Sequence, residues 1–145
     1  MIFNSDSTEK TEDIGRELAK RLDALGIKRA FIAMRGEMGV GKTAFTRGFA
    51  GYFGISGVRS PTYSIVNEYR APSTSVFHFD MYRIESDDDL YSVGYDDYLE
   101  RDGYVIAEWS ENVEDSIPDG AIYVTVSRTP GDPDGRIIDI PFITE

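Results

Sequence analysis

The chain has 145 residues, 41% of them apolar, with nine tyrosines, eight phenylalanines, a formal net charge of −11 and no cysteine. That supports one domain over residues 1–145 with a real core, and excludes disulfides, thiolate chemistry and cysteine metal sites. Residues 1–60 carry 10 basic and 7 acidic side chains, whereas residues 61–145 carry 5 basic and 19 acidic. So acidic a surface should not hold nucleic acid strongly, and any action on RNA calls for a partner that holds the RNA.

No apolar run approaches a membrane span. Met1-Ile2-Phe3-Asn4-Ser5-Asp6 shows no basic region followed by an apolar stretch, so no secretory signal is expected and the cytoplasm is the expected compartment. Asp6 with Glu9 reads as a capping pair. Ile14, Leu18, Leu22 and Leu25 then recur at helical spacing, which predicts an amphipathic helix over residues 7–25 ended by Gly26. Ala30-Phe31-Ile32-Ala33-Met34 reads as a buried strand.

Gly36-Glu37-Met38-Gly39-Val40-Gly41-Lys42-Thr43 follows. It matches the phosphate-binding loop G-x-x-x-x-G-K-[ST]. Phe45, Phe49 and Tyr52 behind it share one helix face, so the strand, loop and helix setting of the motif is complete. Glycines let successive N–H groups from Glu37 to Thr43 point at an anion, and the helix start adds its dipole. Lys42 can reach β- and γ-phosphates as a point charge, and the Thr43 hydroxyl suits a Mg²⁺ that arrives with a nucleoside triphosphate.

Gly51, Gly54 and Gly57 break that helix, and Ser60-Pro61-Thr62 is a turn whose Thr62 could sense a γ-phosphate. Residues 63–69 and 75–82 read as a hairpin of strands. Ser86 caps a short acidic helix, a helical turn covers residues 95–99, and residues 104–107 form a buried strand. Residues 121–128 alternate as a half-buried strand. Residues 129–135 turn, and residues 136–142 close the sheet. The pattern predicts an α/β domain of three layers. Its mixed, partly parallel central sheet has parallel strands covered by helices and antiparallel hairpin edges.

Asp80 and Glu108 each follow an apolar strand, where ligands of open α/β sheets gather, so both could reach the magnesium. His78, the only histidine, stands inside an alternating strand and reads as structural. Trp109, the only tryptophan, follows Glu108; strand alternation would turn it away from any site that Glu108 faces.

Four stretches together resemble the TsaE (YjeE) family of bacterial P-loop ATPases. They are the loop 36–43, Ser60-Pro61-Thr62-Tyr63, His78-Phe79-Asp80-Met81-Tyr82-Arg83 and Glu108-Trp109-Ser110-Glu111. The resemblance implies ATP as ligand, Mg²⁺ on Thr43 and Glu108, Asp80 near the metal or the attacking water, and Thr62 as switch threonine. It also implies Thr11 near the adenine and Arg128 where the late strand approaches the nucleotide. Ser127-Arg128 stands where the family commonly has Gly-Arg, and Glu37-Met38 where it has Asp-Leu. The implied role is accessory ATPase in the threonylcarbamoylation of the adenosine beside the tRNA anticodon. The implied partners are TsaD- and TsaB-type proteins of the transferase complex, with tRNA reached only through them. A small-molecule P-loop kinase is the alternative, weakened by the short chain and the lack of an arginine-rich lid. A GTPase is disfavoured because none of the four lysines lies in an Asn/Thr-Lys-x-Asp element.

Overall fold

The computed structural model describes residues 1–37, 41–61 and 65–144. Seven described strands form one sheet: β1 (Ile2–Ser5), β2 (Arg29–Arg35), β3 (Val66–Arg70), β4 (Ser75–Asp80), β5 (Gly103–Glu108), β6 (Ile122–Arg128) and β7 (Arg136–Asp139). Their order is β1-β7-β6-β2-β5-β4-β3. The four middle strands, β6-β2-β5-β4, are parallel. β1 and β7 add an antiparallel edge on one side and β3 adds another beside β4. The mixed sheet expected from the sequence is present.

β5 is buried at every position because it is a central parallel strand covered on both faces. β6 instead alternates buried and exposed residues over most of its length, as its polar–apolar pattern requires. On one face lie α1 (Thr8–Ala24) and α2 (Lys42–Tyr52), whose Leu18, Leu22, Phe45 and Phe49 are completely buried. Each such side chain contributes about 1.5–3 kcal/mol by leaving water. On the other face α3 (Asp87–Ser92), α4 (Tyr95–Glu100) and a 3₁₀ segment (Ser110–Ser116) cover a second core of Phe31, Phe77, Phe79, Met81 and Tyr95.

α1 and α2 pack at backbone distance. A Cβ at Gly15 would stand 2.1 Å from the Phe45 carbonyl oxygen, and one at Gly48 would stand 1.9 Å from that of Glu12. Glycine at both positions therefore fixes how closely the two helices cross.

Several boundaries differ from the sequence reading. The cap of α1 is Ser7, not Asp6: its side chain accepts the Lys10 N–H at 3.1 Å. Ser86 stands at the cap position of α3 but makes no side-chain capping bond. The strand read as 75–82 ends at Asp80, because Met81 turns its N–H to the Glu108 carbonyl. The strand read as 63–69 begins at Val66 among the described residues. β1 had no sequence signal, being four residues without alternation. It is held by four register pairs to β7 and by the terminal ammonium, which donates to the carbonyls of Ile140 and Ile143.

Candidate active site

The carboxyl ends of β4 and β5 and the start of α2 converge on one cavity of about 460 Å³. It is lined by Lys42, Thr43, Asp80, Glu108, Ser60 and Trp109, among others. The phosphate loop connects β2 to α2 in the predicted way. Gly36 and Gly41 have φ of 142° and 103°, conformations that side-chain-bearing residues avoid. Met38, Gly39 and Val40 of the loop, and Thr62 of the switch turn, lie outside the described residues. Glu37 is exposed and lines neither this cavity nor the neighbouring one.

Lys42 is 4% exposed. Its ammonium donates to the Gly36 carbonyl at 2.8 Å and lies 4.2 Å from the centre of the Trp109 ring. Burial lowers its pKa from the usual lysine value, and the negative charges of Glu108, Glu111 and Asp80 oppose that shift. The lysine thus sits in the pocket already surrounded by carboxylates, with an aromatic face beneath its charge.

The Thr43 hydroxyl is 2.7 Å from the Ser60 hydroxyl. Asp80, half-buried, accepts the Tyr82 N–H at 2.9 Å. Glu108 is 6% exposed and its Oε2 lies 2.6 Å from His78 Nε2. The register of β4 on β5 pairs Asp80 with Glu108, which is why two carboxylates separated by 28 positions reach one cavity.

These donors fit a hard divalent cation: one hydroxyl and two carboxylates, all oxygen. No group of three or more His, Cys, Asp or Glu able to hold a metal exists among the described residues. A magnesium here would therefore need further oxygens from phosphates and water, which is how that ion is ordinarily bound in nucleotide enzymes.

A second cavity of about 300 Å³ adjoins the first, sharing Thr8, Gly41 and Ala44. Its other lining residues are Asp6, Ser7, Thr11, Asp134 and Arg136. Thr11 lines it, with its hydroxyl engaged by Ser5 at 2.8 Å. Arg128 does not line this cavity. It is exposed at the end of β6, and its cross-strand neighbour Arg136 lines the cavity in its place. The turn and closing strand that carry Asp134 and Arg136 were read from the sequence, but their approach to the phosphate loop was not, because spacing does not fix where a turn lies in space.

Trp109 does not face away from the site. β5 ends at Glu108, and Trp109 has φ 58° and ψ 36°, the only described non-glycine residue with positive φ. That left-handed turn breaks the alternation on which the sequence expectation rested. It lays the indole against Lys42 and 5.1 Å from the Tyr82 ring. His78, read as structural, contacts a candidate metal ligand; only the β4–β5 register reveals this.

Residues 5–137 match the family model described as "Threonylcarbamoyl adenosine biosynthesis protein TsaE". A Haemophilus influenzae protein named tRNA threonylcarbamoyladenosine biosynthesis protein TsaE is 35% identical over 114 residues, covering 77% of this chain and 72% of its own. Its namesake in Bacillus subtilis is 32% identical over 118 residues, covering 81% and 73%. The crystal structure of YdiB from Bacillus subtilis superposes with a TM-score of 0.78 at 26% identity, covering 97% of this chain and 83% of that one.

Proposed function

The chain belongs to the TsaE family, and on that premise we propose that it is an Mg-dependent ATPase serving tRNA threonylcarbamoyladenosine formation. The observation that carries the reading is the convergence of Lys42, Thr43, Asp80 and Glu108 on one cavity at the phosphate loop. In this reading the triphosphate lies along the loop and α2 start. The base occupies the adjoining cavity of Thr11, Asp134 and Arg136.

Thr43 and Glu108 would hold the magnesium, which would supply neutralisation of phosphate charge. Lys42 stabilises negative charge growing on the transferred group, from a buried position where the interaction is strong. Asp80, fixed by the Tyr82 N–H, is placed to orient a water molecule. Thr62 is assigned the γ-phosphate switch on the resemblance alone.

Arg47 lines the cavity but is paired with Glu12 at 3.0 Å. That arginine is thus engaged away from the phosphate loop, which supports slow hydrolysis by the chain alone and stimulation by partner proteins. We assign that role to TsaD- and TsaB-type proteins of the transferase complex in the cytoplasm, with tRNA held by them. No helix among the described residues is long and apolar enough to cross a membrane.

Calorimetry with Mg-ATP and Mg-GTP tests the ligand: ATP should bind more tightly, and tighter GTP binding sinks the assignment. Incubation with nucleosides and small alcohols tests the kinase alternative: phosphate should pass to water alone, and a phosphorylated product would favour a kinase.

A further inference from the structure

His78 is wholly buried in β4, between Phe77 and Phe79, which are also wholly buried. A buried imidazole costs free energy unless its nitrogens are partnered. Only one is partnered. Nε2 is 2.6 Å from Glu108 Oε2, whereas Nδ1 has no hydrogen-bond partner among the described residues. An ionised carboxylate can only accept, so in this contact Nε2 is the donor. An apolar side chain of similar size would fill this position without leaving a nitrogen orphaned. Among the described residues, the imidazole's one hydrogen-bond contact is therefore with the carboxylate that ends β5 in the cavity. Without it Glu108, 6% exposed, would lose the donor that fixes its rotation.

We propose that His78 is the positioning residue of the metal site. It anchors one carboxylate oxygen of Glu108 and leaves the other for the cation beside Thr43. This rests on the reading of Glu108 as a magnesium ligand. Hydrogen-bonded partners of metal-binding side chains characteristically set ligand orientation, and losing one costs about 10–100-fold in metal affinity.

The probe is Mn²⁺, followed by its electron paramagnetic resonance signal as it binds to the protein–ADP complex. ADP affinity in EDTA and melting temperature are measured beside it. His78→Met keeps the volume and removes the donor. It should weaken Mn²⁺ binding by about 10–100-fold while metal-free ADP affinity stays near wild type. His78→Gln, whose amide nitrogen reaches about as far as Nε2, should restore most of the Mn²⁺ affinity. If His78→Met does not fold, His78→Asn replaces it, because its amide stops short of Glu108 and the same loss is expected.

Wild-type Mn²⁺ affinity in the donor-less variant overturns the proposal. So does a parallel loss of Mn²⁺ and metal-free ADP binding in both variants, which is the behaviour of a core residue. Glu108→Gln separates the two levels. If it retains Mn²⁺ affinity, the metal assignment itself fails; if it loses affinity while His78→Met does not, only the role of His78 fails.

Discussion

In the proposed function Lys42 is central to the chemistry and marginal to the fold. It is buried, and among the described residues its charge meets the Gly36 carbonyl, the Trp109 face and nearby carboxylates. Lys42→Ala and Thr43→Ala should each lower turnover by about 10²–10³-fold, the scale of losing one aimed electrostatic contact. The melting temperature should change little. Wild-type turnover in either variant refutes the roles given to them. Trp109 supplies an optical check. Phosphates drawing Lys42 off the indole should change the tryptophan emission on addition of Mg-ATP, and Lys42→Met should remove most of that change. An identical response in Lys42→Met would show that the indole senses something other than the lysine. The motif residues were legible in the sequence because their spacing is local. Trp109 was misjudged because a left-handed turn decides its neighbours, and the contact of His78 with Glu108 was hidden because a cross-strand register decides it.

At the scale of elements, the α1–α2 crossing ties stability to binding. α1 carries Thr11 and α2 carries Lys42 and Thr43, and the glycine pair lets the two helices touch. Gly48→Ala must push them apart or bend them, at a cost of about 1–3 kcal/mol for overpacking. It should also weaken ATP binding by widening the second cavity. Chemical denaturation and calorimetry on the same variant check this; unchanged values in both would mean that the crossing adjusts freely. Long periodic elements such as α1, and apolar runs such as β2 and β5, were readable because burial dictates their composition. β1 was not, since its four residues are strand only through their pairing with β7. The 3₁₀ segment after Trp109 was equally hidden; its first residue, Ser110, is held by a long-range bond from its hydroxyl to the Met34 carbonyl at 3.0 Å.

For the molecule as a whole, buried tyrosines set the alkaline limit. Tyr95, 4% exposed and donating to the Ser116 carbonyl at 2.8 Å, has its pKa pushed far up by burial, and Tyr104 is shifted the same way. A raised folded-state pKa means that both states keep the proton below about pH 10. Above it the unfolded chain releases the proton and the folded chain does not, so stability falls as pH rises. Each such tyrosine adds a slope of up to about 1.4 kcal/mol per pH unit. Tyr95→Phe should therefore flatten the decline above pH 10, and an unchanged slope would show that Tyr95 already ionises freely in the fold. The sheet architecture was foreseeable from the strand and helix alternation, whereas the strand order needed the three-dimensional register.

ATP turnover at this cavity is proposed to serve tRNA threonylcarbamoylation. The most direct measurement is modified adenosine formed per transferase complex over many turnovers, with the wild-type chain, with Lys42→Ala and with no addition. Repeated turnover is expected with the wild-type chain only, with loss of that gain when ATP is replaced by a non-hydrolysable analogue. Equal product in all three reactions would contradict it.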